Sequence, residues 1–333
     1  MMIMIQKYLI VGCGNHGERL LKLLIKKKFE IVVCEKNLQV KNNLEEKYKF
    51  FKNITFIDSL SDIKQIMSRD YSSIISNWAS ERLQTLKFLH DNGCKRIYLE
   101  KPFASNLEET SKVEELFSKN FEIIPSLPQN FSPFTVNLNK LINKYKLGNL
   151  NYVVHLSGAK GFINNGIHYL DSSINLIDSK LEKVYGEVSR SKINPRKKGA
   201  FYYEGDVTFR FKNKKIINMI MSNKSMMNTT SIYNYKFGTV ILNEDGNGHL
   251  NLVDSKNRSN SITRTTSDKV VELNNFFGDY LNSLEKNLLF FINEQDSQKI
   301  KSYFKRSILS QKYLYEAVHE LSKTDKNTSL NTT

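Results

Sequence analysis

Residues 7–17 of this 333-residue chain read KYLIVGCGNHG, an apolar run that passes directly into a glycine-rich turn. An apolar run of this length that stops at a glycine is typical of a buried parallel strand. Residues 15–28 carry leucines at helical spacing, and a second apolar run at 30–34 is followed by Glu35. The stretch therefore predicts a strand, a tight turn, a helix and a second strand that ends at an acidic residue.

The three glycines of the turn have separate physical roles. Gly12 permits the tight turn, Gly14 lets the backbone approach a pyrophosphate, and Gly17 lets the helix pack close to the sheet. The start of the helix presents N–H groups and the positive end of its dipole to an anion. We therefore predict that these glycines, with Asn15 and His16 between them, bind a dinucleotide. The alternative is a strand–helix turn that binds no ligand.

Glu35 indicates which dinucleotide the turn would bind. A carboxylate at the end of the second strand accepts hydrogen bonds from the hydroxyls of the adenosine ribose, which favours NAD. The neighbouring Lys36 offers a cation to a 2′-phosphate, so NADP stays open as the alternative.

Strands and helices alternate up to about residue 126. We predict strands at 7–12, 30–34, 54–57, 72–76, 96–99 and 121–125, and helices at 15–28, 60–68, 79–92 and 106–119. This alternation predicts an α/β fold, with a doubly wound parallel sheet of the Rossmann type covered by helices on both faces. We assign the domain to residues 1–126.

The pattern changes beyond residue 126, where strand-like runs follow one another with little helix between them. We predict strands near 150–157, 181–189, 203–212, 214–222, 229–242 and 249–253, and helices near 133–146, 164–177, 272–292 and 297–322. The order predicts an α+β domain at 127–322 with a largely antiparallel open sheet. The polar tail at 323–333 is expected to be disordered.

The charge of the chain is strongly positive, with 49 Lys and Arg against 34 Asp and Glu. The basic residues are spread along the sequence, whereas a nucleic-acid binder more often shows a stripe with interleaved aromatics. We therefore expect no nucleic-acid partner. A general positive field can still steer an anionic cofactor or a phosphorylated substrate.

The three cysteines, Cys13, Cys34 and Cys94, form no CxxC pair. This spacing argues against a disulfide framework and against a structural metal site. We interpret Cys13 as a small residue that fits the tight turn. No apolar run approaches the roughly 18 residues of a membrane span, so we expect a cytoplasmic protein without a membrane partner.

Four motifs together resemble the Gfo/Idh/MocA oxidoreductases, a family named for glucose-fructose oxidoreductase and inositol dehydrogenase. The resemblance covers roughly residues 7 to 320. Its motifs are the glycine turn, Glu100-Lys101-Pro102 after the fifth strand, Asn130-Phe131-Ser132-Pro133 with Lys146-Leu147-Gly148, and the run NNGIHYLD at 164–171.

The resemblance implies roles for particular residues. Lys101 matches the family's active-site lysine, next to the reacting oxygen and the nicotinamide ribose. His168 matches the histidine that exchanges a proton with the substrate oxygen. Glu100 and Pro102 hold Lys101 in place, since a residue before proline is biased toward an extended conformation. Glu100 and Lys101 are accordingly expected in the cofactor site as well as beside the substrate.

Helical spacing is compatible with the role of His168. On a helix over 164–177, Asn164, His168, Asp171 and Asn175 fall on one face. An adjacent apolar stripe can pack against the domain; it consists of Ile167, Leu170, Ile174 and Ile177. A polar stripe beside a buried one places His168 at the edge of a cleft.

Three positions depart from the family pattern. Asn164 stands where the family usually has an aspartate, which leaves three alternatives: Lys101 and His168 act alone, Asp171 takes over part of the electrostatics, or the protein binds its ligands with little turnover. Asn77 and Trp78 stand where the family often has Thr-Pro. Trp78 is expected either beside the nicotinamide or adenine, or in packing.

The resemblance implies an NAD(P)-dependent oxidoreductase that acts on a sugar or nucleotide sugar, with a place in surface-glycan biosynthesis. An imine or linear-tetrapyrrole reductase is a second enzyme hypothesis. A protein that senses the dinucleotide without turnover is the non-enzyme hypothesis. Because the family often assembles through the open face of its second sheet, a homodimer or homotetramer is expected.

Overall fold

The structure is a computed structural model that describes residues 7–63, 71–118, 121–158, 160–191, 202–222, 224–259 and 269–322. The chain divides into two compact units. The first runs to Ser126 and takes in Leu288–Ile308, and the second consists of Leu127–Asn287 and the described residues from Leu309 to Ser322. The predicted tail at 323–333 and most of the helix expected at 60–68 lie outside the described residues.

The first unit is built on a parallel sheet, which has six strands in the described ranges in the order β3-β2-β1-β4-β5-β6. The strands are β1 Lys7–Val11, β2 Glu30–Cys34, β3 Ile54–Ile57, β4 Tyr71–Ile75, β5 Arg96–Leu99 and β6 Glu122–Pro125. The apolar residues of the five other strands are buried, as expected where helices cover both faces of a parallel sheet, whereas Ile54 and Phe56 of the edge strand β3 are only partly buried. The predicted doubly wound sheet is confirmed.

The helices of this unit follow the strands in turn. They are α1 Asn15–Ile25, α2 Leu38–Tyr48, α3 Ala79–Asp91 and α4 Leu107–Ser118. The sequence analysis missed α2, which buries only Leu44 and Tyr48 and so has little apolar periodicity. Its start is set instead by Asn37, whose side chain accepts hydrogen bonds from the N–H groups of Gln39 and Val40 at 3.1 and 3.2 Å.

Residues Leu288–Ile308 pack with the first sheet, although they lie within the predicted second domain at 127–322. The Phe291 ring contacts the Tyr98 ring with centroids 5.6 Å apart, and the Tyr303 hydroxyl donates to the Pro125 carbonyl at 2.9 Å. Helical periodicity predicts that such a segment buries one face, but it carries no signal for which sheet that face will cover.

The second unit is built on a mixed sheet with eight strands in the described part of the chain, ordered β14-β13-β12-β11-β7-β10-β9-β8. Strands β7 and β10 are parallel and the other neighbours are antiparallel, so the predicted largely antiparallel sheet is confirmed. The strands are β7 Leu150–Gly158, β8 Leu181–Ser191, β9 Tyr202–Phe211, β10 Ile216–Ser222, β11 Thr230–Tyr235, β12 Gly238–Asn243, β13 Gly248–Leu252 and β14 Lys269–Leu273.

Three predicted boundaries beyond residue 126 were wrong. The run at 229–242 is two antiparallel strands, because the chain turns at Lys236 and Phe237. The helix expected at 272–292 begins only at Tyr280, since the preceding β-branched run forms β14. The helix expected at 164–177 begins at Gly166. The later helices are α5 Phe134–Tyr145, α6 Gly166–Ile177, α7 Tyr280–Asn293 and α8 Ser297–Ser322.

Helix α6 lies against β7 and β10 of this sheet. The predicted apolar stripe is buried at all four of its members: Ile167, Leu170, Ile174 and Ile177. The burial of this stripe, which the sequence predicted, is confirmed.

Candidate active site

The glycine turn follows β1 and is packed tightly at two of its three glycines. Gly12 has a φ of +79°, and a Cβ there would lie 2.7 Å from the Cα of Asn77. A Cβ on Gly17 would lie 2.4 Å from the Gly12 carbonyl oxygen. Both glycines are therefore required by the packing of the turn itself, as the sequence predicted for a tight turn and a close helix.

Gly14 is different, because a Cβ there would have no heavy atom within 4 Å among the described residues. No internal packing demands a glycine at this position. The open space begins where α1 starts, and it lies at the carboxyl end of β1. Since β2 and β4 flank β1 on opposite sides, this is the point where the strand order reverses and where ligands bind in open parallel sheets.

Glu35 lies directly after β2 and is 8% exposed. Its carboxylate accepts hydrogen bonds from the Cys13 N–H at 2.7 Å and from the Asn37 N–H at 2.8 Å. The side chain therefore braces the glycine turn, a role that sequence reasoning did not foresee. Each carboxylate oxygen has two acceptor sites, so Glu35 keeps the capacity to accept from a ligand hydroxyl.

Cys13 is buried within the turn. Burial first, and then the negative charges of Glu35 and Glu18, raise the pKa of its thiol to about 12. A thiol that stays protonated is a poor nucleophile, which fits the interpretation of Cys13 as a small packing residue.

The ammonium group of Lys36 forms an ion pair with Glu81 of α3. The lysine side chain is mostly exposed, so the pair is accessible to water. The cation that could meet a 2′-phosphate is thus already paired with a carboxylate.

His16 and Glu100 meet beside the turn, with His16 Nε2 3.0 Å from Glu100 Oε2. Burial by itself would raise the pKa of the Glu100 carboxyl. The charge and hydrogen bond of His16, followed by the charges of Lys101 and Arg82, outweigh burial and hold that pKa well below its usual range. The structure thus brings together three predicted site residues: His16, Glu100 and Lys101.

Lys101 follows Glu100 at the carboxyl end of β5 and is half-buried, and its peptide bond to Pro102 is cis. Two loops carry the remaining predicted contacts of this unit. Asn77 follows β4, and its side-chain amide donates to Thr85 Oγ1 of α3 at 2.9 Å. Trp78 is half-buried and stands at the N-cap of α3.

Arg82 is a residue that sequence reasoning missed. It lies on α3, is 4% exposed, and donates hydrogen bonds to the carbonyls of Asn77, Glu100 and Pro102. In the sequence it stands among polar residues of an amphipathic helix, where an exposed arginine would give the same pattern. Only the convergence of three carbonyls from two loops marks it out.

In the second unit, His168 lies in the first turn of α6 and is half-buried. Its N–H donates to the Asn165 carbonyl at 3.1 Å. Asn164 is buried and precedes the helix by two residues. The prediction that Asn164 and His168 share a helical face was therefore wrong, because the helix begins too late to include Asn164.

His168, Asp171 and Asn175 lie on the observed helix at the predicted spacing, but their burial differs. Asp171 is fully buried, whereas Asn175 is exposed. The Asp171 carboxylate accepts from Asn130 Nδ2 at 2.6 Å and from the Ser310 hydroxyl at 3.0 Å. Asp171 therefore ties α6 to the loop before α5 and to α8.

His155 of β7 is a second residue that sequence reasoning missed. It is fully buried, with Nδ1 2.8 Å from the Ser231 hydroxyl and Nε2 2.8 Å from the Ser173 hydroxyl. Burial lowers its pKa to about 3, so the imidazole is neutral near neutral pH. The bridge fastens α6, through Ser173, to β7 and β11.

Tyr169 lies one turn before Ser173 on the same face of α6 and ties the helix to Thr229, the residue just before β11. Its hydroxyl lies 2.8 Å from Thr229 Oγ1 and accepts from Lys160 Nζ at 3.3 Å. Lys160 in turn pairs with Glu244, which follows β12. His168 therefore stands on a helix that is held to its sheet by buried hydrogen bonds as well as by apolar packing.

Across the described ranges, no three or more His, Cys, Asp or Glu side chains are grouped so that they could hold a metal ion. None of the helices in those ranges combines the length and apolar character needed to cross a membrane.

Comparisons by sequence gave no match, either to a family model or to a curated protein. Solved structures do match. A dehydrogenase from Chromobacterium violaceum aligns with a TM-score of 0.71 at 14% identity, covering 96% of this chain and 95% of its own.

Two of the similar structures contain a nicotinamide cofactor. Levoglucosan dehydrogenase, in complex with NADH and L-sorbose, aligns with a TM-score of 0.69 at 13% identity, covering 95% of this chain and 97% of its own. Biliverdin reductase from Synechocystis, in complex with biliverdin and NADP+, aligns with a TM-score of 0.69 at 10% identity over 95% of this chain and 99% of its own. This chain therefore shares the fold of these dehydrogenases and of biliverdin reductase.

Proposed function

We propose that this protein is an NAD(P)-dependent oxidoreductase that acts on a hydroxyl or keto carbon of a sugar or sugar derivative. The observation that carries the proposal is the glycine turn. Gly12 and Gly17 are demanded by internal packing, whereas Gly14 borders open space at the start of α1. The packing of the protein does not require a glycine here. A glycine is explained if a ligand must come close to the main chain at this position.

The residues around the turn fit a dinucleotide. Gly14, Asn15 and His16 would hold the pyrophosphate at the start of α1, and Glu35 would accept from the adenosine ribose. We propose NAD as the preferred cofactor, because the negative charge of Glu35 opposes a 2′-phosphate and Lys36 is engaged by Glu81. When bound, the nicotinamide ring would supply the hydride donor or acceptor.

Lys101 and His168 are proposed as the catalytic residues, each on the strength of its family motif. A lysine ammonium stabilises negative charge that develops on a substrate oxygen. A histidine titrates near neutral pH and can exchange a proton with that oxygen. Asn164, which is buried and neutral, is proposed only to hydrogen-bond and not to transfer a proton.

A nucleotide sugar is the proposed substrate, and surface-glycan biosynthesis the proposed setting. The excess of basic over acidic residues, which gives a formal charge of +15, favours an anionic substrate such as a diphosphate.

A homodimer or homotetramer through the sheet of the second unit is also proposed. Several apolar side chains on one side of this sheet are more than a third exposed; they are Tyr152, Leu156, Tyr185 and Ile216. A surface of this kind is typical of a protein interface.

The direct test measures the near-ultraviolet absorbance of the reduced cofactor. Purified protein is given NADH or NADPH with keto sugars and nucleotide keto sugars, and with biliverdin to cover tetrapyrrole reduction. Turnover of a sugar substrate, with NADH preferred, is the expected result. Tight cofactor binding without turnover on any compound would instead support the sensing hypothesis.

Lys101→Ala provides the test of the site. We expect turnover to fall at least about 100-fold, since the ammonium acts on charge that develops in the transition state. Lys87→Ala is the matched control, because Lys87 is an exposed lysine of α3. Unchanged turnover in Lys101→Ala would remove this lysine from the mechanism.

A further inference from the structure

Arg82 binds the main chain on both sides of Lys101. Its Nη1 donates to the Glu100 carbonyl at 2.7 Å and also to the Pro102 carbonyl. Its Nε and Nη2 donate to the Asn77 carbonyl at 3.0 and 2.7 Å. One side chain therefore joins the loop after β4 to the loop after β5.

The burial of Arg82 makes these hydrogen bonds important for stability. The residue is 4% exposed, and a buried cation is strongly unfavourable unless it is paired or fully hydrogen-bonded. The three carbonyls also need donors, because buried backbone oxygens rarely stay unpaired. The guanidinium needs acceptors and the carbonyls need donors. The hydrogen bonds between them therefore stabilise both the buried position of Arg82 and the conformation of the two loops.

The geometry favours arginine over lysine at this position. A guanidinium presents its donors in a rigid planar fork, whereas a lysine ammonium is a single point of charge at the end of a flexible stem. A lysine at position 82 would keep the charge, but it would not bind three separated carbonyls in one plane.

Glu100 is held at both its ends. Its carbonyl accepts from Arg82, its N–H donates to the Ile75 carbonyl at 2.9 Å, and its carboxylate meets His16. The residue before Lys101 is thereby fixed to β4 and to the glycine turn, and the residue after it is fixed to α3.

We propose that Arg82 is a positioning residue for Lys101, which sets the place of the lysine by holding the carbonyls on either side of it. The inference rests on the proposed function for its catalytic consequence. Arg82 donates to main-chain atoms of the protein, so its effect on the reaction is exerted through Lys101.

The test uses the full chain with Arg82→Met, which removes the donors while keeping a long side chain, and Arg82→Lys, which keeps the charge. Amide hydrogen exchange is followed in ligand-free protein. For Arg82→Met we expect exchange at Glu100 and its neighbours to rise about tenfold or more, with little change in the second unit. Lys87→Met on the same helix is the control and should leave exchange unchanged.

Turnover gives the second readout. We expect kcat of Arg82→Met to fall about 100-fold, with the KM for NADH changed less than about threefold, because a misplaced catalytic group affects the chemical step more than binding. Arg82→Lys, which keeps the charge, should unfold cooperatively like the wild type. It should restore only part of the kcat that Arg82→Met loses. If Arg82→Met does not fold, exchange at Glu100 and kcat are compared between Arg82→Lys and the wild type instead.

Unchanged exchange at Glu100 in folded Arg82 variants would overturn the inference. Exchange that rises equally across the whole chain would also overturn it, because it would show a general loss of stability. A wild-type protein that binds neither NADH nor NADPH would refute the proposed function, and the exchange comparison would still decide whether Arg82 holds this loop.

Discussion

Two polar clusters hold the elements that carry the proposed site residues, and they are built from different chemistry. The cluster in the first unit is charged and consists of His16, Arg82 and Glu100. The cluster in the second unit joins the neutral His155 to hydroxyl groups, chiefly those of Ser173 and Ser231. The charged cluster holds the main chain of two loops, whereas the neutral one holds a helix against a sheet.

The difference follows from what each cluster has to fix. Loops leave carbonyls and N–H groups unpaired, and charged donors and acceptors bind them more strongly than neutral ones. A helix already satisfies its own main chain, so α6 needs only side-chain bridges to set its position. Loss of a partner should therefore be more harmful in the charged cluster, where an uncompensated buried charge would be left.

The largest expected effect is that of Glu100→Gln. Loss of the carboxylate charge leaves the buried Arg82 without its nearby counter-charge, so we expect the free energy of unfolding to fall by about 3 kcal/mol. Urea denaturation measures the change. The control is Glu108→Gln, which removes an exposed partner of Lys112 on α4 and should cost far less. Equal losses in the two variants would contradict the comparison.

The pH dependence of the neutral cluster should be the next largest effect. The folded pKa of His155 is about 3 and its ordinary value is 6.5, so the unfolded chain binds the proton first. The stability from this group is present above pH 6.5 and is lost as the pH falls toward 3. Between pH 6.5 and 5 we expect a loss of about 2 kcal/mol.

His155→Gln isolates this contribution, because glutamine can bridge two hydroxyls but does not titrate. Urea denaturation at both pH values, with wild type and variant side by side, should show a flatter pH dependence in the variant. Parallel pH profiles would mean that His155 is not the group responsible.

Gly14→Ala should have the smallest effect on stability. Its new methyl group enters open space beside the charged cluster, so we expect the free energy of unfolding to change by no more than about 1 kcal/mol. NADH binding should weaken about tenfold, because that space is where the pyrophosphate is proposed to lie. Fluorescence titration with NADH measures the affinity.

Gly17→Ala is the contrasting variant, since its Cβ would lie 2.4 Å from a carbonyl oxygen and should destabilise the fold. Tight NADH binding by Gly14→Ala would place the cofactor elsewhere.

Much of the fold was predictable because short, contiguous stretches of sequence determine it. The apolar runs of the first sheet and the glycine turn are each contained within a few neighbouring residues. Helix α2 was missed because its start depends on the Asn37 side chain and little of its surface is buried. The true start of α6 at Gly166 leaves Asn164 outside the helix, which period counting alone does not reveal.

The clusters were less predictable than the strands. Arg82 and His155 receive their partners from positions distant in sequence, such as Glu100 and Ser231. An arginine in a polar helix segment and a histidine in a strand give no local sign that they will be buried. Asp171 was named for its place on the helix, but its partners Asn130 and Ser310 became visible only in three dimensions.

The packing of Leu288–Ile308 with the first sheet has a consequence for how the chain acquires its structure during synthesis. The strands of that sheet are complete once Pro125 has left the ribosome, yet Phe291 and Tyr303, which pack against it, are made much later. Part of the apolar surface of the first sheet therefore stays exposed while the second unit is translated. Contacts of such long sequence separation slow folding, and an exposed intermediate of this kind is where a chaperone would be expected to bind.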